Sequence, residues 1–356
     1  MRKIIKRLTT SSTWAASSDL TPVDLPREGI ITEITIRSNI TATLTATAVD
    51  DLFRRHLQNI KIEGDGGRAY LGMSGTQMLR MLDLWQWVTQ KSPSLHSNGA
   101  GIALASPDVA SASFRTVHKW HPGSNPKDPF DLTAGIPAKA LSMLQAKLTT
   151  TPNLVVDANG LITAGTYNYE VCEVLDHPIP PGLMVPMGST LAYAHTANYS
   201  DFSYKIDVPA GAWLRGILML VNDDTANVSR RKDDEVTGVR LEMPKTGEYV
   251  FEQSIYELKQ TMMSRFEVPG IAQEVGPIGA IADLRPGPSD LQLMVPAGFV
   301  YIDLRPYGNP LYGLDLRNFQ TGDFKLGLTI ENYAAGDDTT FYWDQLMPVD
   351  RSMVGK

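Results

Sequence analysis

Period-two hydrophobic alternation in both halves, one helical stripe per half and a domain-sized internal repeat predict an all-β fold. The expected architecture is two tandem jelly-roll β-sandwiches, a double jelly roll, each with one inserted helix, plus a short N-terminal helical arm. The length agrees, because 356 residues exceed what one hydrophobic core ordinarily serves.

At the start, Arg2, Lys3, Lys6 and Arg7 surround Ile4, Ile5 and Leu8. Read as a helix, this is an apolar stripe flanked by positive charge, suited to an anionic membrane surface. The Ser/Thr-rich stretch from Thr9 to Ser18 then reads as a tether and Trp14 as an interfacial anchor. Residues 1–26 are the expected basic arm, 27–185 the first jelly roll and 186–356 the second with its C-terminal tail. The stretch HPIPPGLMVPMGS supplies the proline and glycine of a connector between them.

From Ile30 the signal is alternation: Ile30, Thr32, Ile34, Ile36 and Ile40 form one largely apolar face of a half-buried strand. The same period recurs at Tyr167, Tyr169 and Val171, at Val300, Ile302 and Leu304, and from Phe324 through Leu326 and Leu328 to Ile330. Helical spacing joins Met78, Leu82, Trp85 and Val88, opened by the capping-box pair Ser74 and Gln77. It joins Ile255, Leu258 and Met262 behind the corresponding pair Ser254 and Glu257.

These helices sit at equivalent points of the repeat. Ile60, Ile62 and Glu63 match Val239, Leu241 and Glu242 at an offset of 179, and Gly67, Ser74, Gln77, Met78 and Leu82 match Gly247, Ser254, Glu257, Leu258 and Met262 at 180. Pro122, Asn125 and Pro126 return as Pro306, Asn309 and Pro310. KLTT at 147–150 pairs with GLTI at 327–330, and GTYNYEVCEVL at 165–175 with TTFYWDQL at 339–346. Collinear matches with drifting offsets indicate duplication of a unit too long for a solenoid repeat. One helix among many short strands fits a jelly roll better than an immunoglobulin-like sandwich, which carries no such insertion.

A net charge of -7 argues against a folded body that wraps nucleic acid, since phosphate neutralisation needs a basic face. The single cysteine, Cys172, excludes an intramolecular disulfide and, on an alternating strand, reads as a buried inert thiol. No apolar run reaches the roughly 18 residues of a membrane span, and no signal-peptide core follows the start.

The search for chemistry yields no catalytic residue, metal site or cofactor. His118 and His121 are the one close histidine pair; strand alternation and a following turn favour structural roles over metal binding. A bicupin would need an H-x-H pair and a following glutamate, and the segment with Pro186, Gly188, His195 and Asn198 spaces glycine and histidine too far apart. Neither a nucleophile elbow nor a P-loop occurs, and GDGG at 64–67 reads as a hairpin turn. Asp223, Asp224, Asp233 and Asp234 match no calcium loop and read as solvated. Trp85, Trp87, Trp213 and Trp343 read as core filling before sugar platforms.

The duplicated pattern ending in GTYNYEVCEVL, with the IKIEGDGGRAYLG hairpin and its following helix, resembles the double jelly-roll major capsid proteins of tailless, membrane-containing viruses of the tectivirus and corticovirus type. The resemblance is architectural and implies a viral structural protein of the virion, made in the host cytoplasm, of the kind found in bacteriophages. It implies pseudo-hexagonal homotrimers tiling an icosahedral capsid, with neighbouring capsomers, an internal viral membrane and minor capsid or vertex proteins as partners and no cofactor. It also places the arm, Arg2 to Leu8 with Trp14, toward the membrane or inner shell. A carbohydrate-binding spike or lectin-like protein is the alternative, with a bicupin metalloenzyme ranked below it.

Overall fold

The computed structural model describes residues 1–44, 55–75, 78–90, 112–125, 128–153, 160–223, 230–266, 298–305 and 313–356. The chain divides into two compact units, Met1–Thr190 with Leu346–Lys356, and Leu191–Gln345.

The first unit runs through β1 (Arg2–Thr13), β2 (Val23–Asp24), β3 (Ile30–Leu44), β4 (Leu57–Gly64), β5 (Ala69–Ser74), α1 (Met78–Gln90), β6 (Ala112–Trp120), β7 (Leu144–Thr150), β8 (Gly160–Leu175) and β9 (Met184–Pro186). After β10 (Gly188–Ala194), the second has β11 (Tyr199–Asp207), β12 (Trp213–Asp223), β13 (Arg230–Arg231), β14 (Val236–Met243), β15 (Glu248–Ser254) and α2 (Ile255–Phe266). It ends with β16 (Phe299–Asp303), β17 (Leu314–Asp315), β18 (Lys325–Ile330) and β19 (Asp337–Pro348).

Strand neighbours repeat between the units. The first has the orders β1-β8-β3-β6 and β2-β7-β4-β5; the second has β10-β19-β12-β16 and β11-β18-β14-β15. Eight strands in two facing sheets, in the same connectivity twice, are two jelly rolls. The helices follow equivalent strands, α1 after β5 and α2 after β15. The matched glycines also have a physical reason: Gly67 and Gly247, in the equivalent hairpin turns, have φ of 78° and 72°, a region glycine enters without steric cost.

Burial follows the predicted alternation in β8, where Tyr167, Tyr169 and Val171 are buried and Asn168 and Glu170 between them are half-buried. The second core gathers Leu214, Ile217, Met219, Val239, Leu241, Phe341 and Trp343. In α2, Ile255, Leu258 and Met262 are buried, and the expected capping box closes: Ser254 N–H donates to Glu257 Oε2 (2.7 Å) while Glu257 N–H donates to Ser254 Oγ (3.3 Å). At α1, Gln77 lies outside the described residues, and Ser74 N–H donates to the Thr190 hydroxyl (2.6 Å).

Three expectations change. β3 is not half-buried at its start, because every residue from Ile30 to Ile36 is buried. A covering segment explains it: Ile31 pairs with Ile136, and the Thr32 hydroxyl donates to the Pro129 carbonyl (2.6 Å). The N-terminus is a strand and not a helix, and it belongs to the first sandwich, pairing antiparallel with β8 from Arg2↔Leu175 through Arg7↔Glu170. A helix this short is marginal in water, whereas the open edge of β8 supplies a ladder of hydrogen bonds. The C-terminal tail belongs to the first unit: Leu346 and Met347 pair with Pro186 and Val185, and Gly355 N–H donates to the Ile179 carbonyl (3.1 Å).

Candidate assembly strand and intersheet polar clusters

Each of the four arm cations meets a carboxylate of the first unit. Arg2 lies 3.5 Å from Asp176, Lys3 3.3 Å from Asp128, Lys6 3.5 Å from Glu28 and Arg7 3.6 Å from Glu170. These are largely exposed pairs, worth about 0–1 kcal/mol each, so they set register more than stability. Ile4 and Leu8 are half-buried on one side of β1, whereas Ile5 is 60% exposed on the other. Trp14 is not a projecting anchor: its indole N–H donates to the Thr151 carbonyl (3.0 Å) and its backbone N–H to the Gly165 carbonyl (2.9 Å). Among the described residues β1 ends its sheet, leaving one backbone edge studded with cations, a common protection against unwanted strand pairing.

Inside the first sandwich a polar cluster joins the two sheets. His56, immediately before β4, lies 3.2 Å through Nδ1 from the Tyr167 hydroxyl on β8; its Nε2 lies 3.3 Å from Ser38 Oγ on β3 and 3.2 Å from Thr116 Oγ1 on β6. His118 contacts Asp83 of α1 through Nδ1 (3.0 Å) and Thr116 through Nε2 (2.9 Å). Burial holds His56 well below the ordinary histidine range, and its electrostatic interaction with the nearby His118 ring lowers it further. Burial also lifts the Tyr167 phenol above its ordinary value.

The second sandwich has its own cluster. His195, just past β10, binds Glu235 through Nδ1 and lies 3.0 Å through Nε2 from Thr339 Oγ1 on β19. Asp337 accepts two contacts from Lys232 Nζ, at 3.0 and 3.1 Å. Burial raises the Glu235 carboxyl above its usual range; the bond from His195 opposes that.

The remaining sequence candidates are structural. His121 Nδ1–H donates to the Thr32 carbonyl (3.0 Å), so the histidine pair does not converge on one point with His118. Among the described residues no group of three or more His, Cys, Asp or Glu is arranged to hold a metal ion. Asp233 accepts from Lys259 Nζ and Gly298 N–H, while Asp224 lies outside the described residues. The GDGG turn is held by Asp65, which accepts from the Ser142 and Met143 backbones at 2.8 and 2.6 Å. Burial pushes the Cys172 thiol up to about 12, which leaves it inert. Trp85 and Trp343 are buried, and Trp213 is half-buried beneath the Arg317 guanidinium at 4.8 Å. Sequence reasoning passed over His56 and Glu235; the one signal available was their offset of 179, the offset of the neighbouring repeat.

No protein-family model and no curated protein sequence matches the chain. Solved structures do. The MCP of STIV, the Sulfolobus Turreted Icosahedral Virus, matches with a TM-score of 0.69 at 15% identity, covering 98% of each chain. VP54 of PBCV-1, fitted into a reconstruction of the virophage Sputnik, gives 0.62 at 12%, covering 97% of this chain and 94% of that one. The major capsid protein P2 of bacteriophage PM2 gives 0.54 at 10%, covering 99% and 100%. At these identities the shared property is the fold: this chain is a double jelly roll along nearly its whole length.

Proposed function

We propose that the chain is a major capsid protein of a virus shell and not an enzyme. One observation carries the reading: the double jelly roll occupies the chain from β1 to β19, and chains of that fold and length include the MCP of STIV and the major capsid protein of bacteriophage PM2. Duplication makes six similar sandwiches from three chains, so a closed cyclic homotrimer presents near-equivalent sides to six neighbours and tiles an icosahedral shell. The proposed partners are further copies of the chain, minor capsid or vertex proteins and an internal membrane; the proposed location is the virion after synthesis in the host cytoplasm. β1 lies in this reading on the inner side of the shell, its unpaired edge and exposed Met1 and Ile5 turned to the membrane or a neighbouring subunit.

Native mass measurement and electron microscopy of the expressed chain test the assembly. The expected result is a mass three times that of the chain and pseudo-hexagonal particles. A monomer at high concentration that forms no particle sinks the reading in favour of a lectin-like or bicupin protein. Sedimentation with anionic vesicles tests the membrane contact separately. The intact chain is expected to bind and a chain with Arg2, Lys3, Lys6 and Arg7 changed to Gln to stay free; an intact chain that ignores the vesicles leaves only the subunit contact.

A further inference from the structure

One place in the duplicated fold carries a base in the first sandwich and an acid in the second. His56 immediately precedes β4 and Glu235 immediately precedes β14, at the offset that relates Ile60 to Val239. Both are fully buried, and each reaches from its own sheet to the opposite one. The Tyr167 hydroxyl accepts from Nδ1–H, and the hydroxyls of Ser38 and Thr116 can donate to Nε2, so together they satisfy a neutral His56 ring. The His56 carbonyl is also engaged, accepting from Tyr167 Oη–H (3.3 Å) and Thr151 N–H (3.4 Å), so the residue ties β4 to β8 through backbone and ring together.

The charges around this ring leave little room for another cation. β6 presents His118, its ring centroid 6.0 Å from that of His56. α1 presents Asp83, already engaged by His118. β8 presents Tyr167 and, further along, Tyr169; β3 offers the uncharged Ser38; and the buried Arg55 is the preceding residue. In the second sandwich the equivalent Glu235 faces His195 with Thr339 behind it, so the ring there meets a carboxylate and not a second histidine.

We infer that His56 is an acid-sensitive latch: a proton on its ring loosens the seam between the two sheets of the first sandwich, a response that the second sandwich, with Glu235 in that place, lacks. The direction of the effect follows from linkage. Because the folded chain binds this proton less tightly than the unfolded chain, the His56 contribution is complete above about pH 6.5 and shrinks as pH falls below it. Burial acts oppositely on Glu235, whose proton the folded chain holds more tightly. Burial likewise raises Glu173 of the first sandwich, so a His56 variant, and not a bare pH profile, isolates the latch.

Hydrogen exchange of the full chain, corrected for its intrinsic pH dependence, reads the two sandwiches separately. Between about pH 6.5 and about pH 5.5 the opening of β4 and β8 peptides is expected to rise up to roughly tenfold. Peptides of β14 and β18 are expected not to follow. His56→Gln should abolish the rise, and Glu235→Gln should preserve it in β4 and β8. An equal rise in His56→Gln overturns the latch. Should His56→Gln and the alternative His56→Asn both fail to fold, Glu173→Gln removes the opposing titration with His56 in place: in that variant no rise in the first sandwich, or the same rise in both, refutes it.

Discussion

Arg215 and Asp344 form a buried two-point ion pair in the second unit, with Nε 2.8 Å from Oδ2 and Nη2 2.9 Å from Oδ1. The Tyr301 hydroxyl donates to the same Oδ2 at 3.1 Å. Both partners are buried, and the pair joins the neighbouring strands β12 and β19. Asp344→Ala removes one buried charge and leaves the other, so a loss of about 3–5 kcal/mol is expected from the shift in urea midpoint. A shift near zero would mean that the guanidinium finds another partner.

Glu173 is buried beneath the entrance to β3. Its Oε1 accepts from the backbone N–H groups of Glu28 (2.9 Å) and Gly29 (2.6 Å), and its Oε2 has no hydrogen-bond partner among the described residues. Burial raises the carboxyl, so the folded chain holds the proton more tightly than the unfolded chain. Its contribution is therefore fully present below the ordinary carboxyl value of about 4.3 and is lost as pH rises through the folded value. Glu173→Gln keeps the amide acceptor without the charge. Melting temperatures against pH should show it at least as stable as the parent at neutral pH, with the advantage closing in acid; a clear loss at neutral pH would contradict this.

The capping box of α2 predicts a smaller effect. Ser254 Oγ accepts from Glu257 N–H and donates to Glu257 Oε2 at 2.8 Å, at an exposed helix start. Ser254→Ala should reduce stability by about 1 kcal/mol, read as a lower midpoint with unchanged slope in denaturant. An unaltered midpoint would show that water replaces the cap.

Cys172 lies on β8 opposite Ile5, and burial pushes its thiol up to about 12. A thiol reagent at mildly alkaline pH should leave the folded chain unmodified and label one site after denaturation. Labelling of the folded chain at the rate of a free thiol would mean that β1 leaves β8 often enough to expose it.

Sequence periodicity alone determined the duplicated fold, the place of both helices and the cap of α2, because these depend on residues a few positions apart or on a copied order of elements. Ser254 and Glu257 close within one turn, and Gly67 and Gly247 mark the same hairpin by their left-handed backbone. Tertiary structure decided the rest. Ile4, Ile5 and Leu8 suit a short helix as well as a strand by spacing, and the open edge of β8 selected the strand while Asp176, Asp128, Glu28 and Glu170 took up its charge. His56 meets Tyr167 across 111 residues, and His195 meets Thr339 across 144. Such polar pairs have no local spacing to betray them; they exist because burial costs an unpaired polar group several kilocalories per mole, so the folded chain must bring distant partners together.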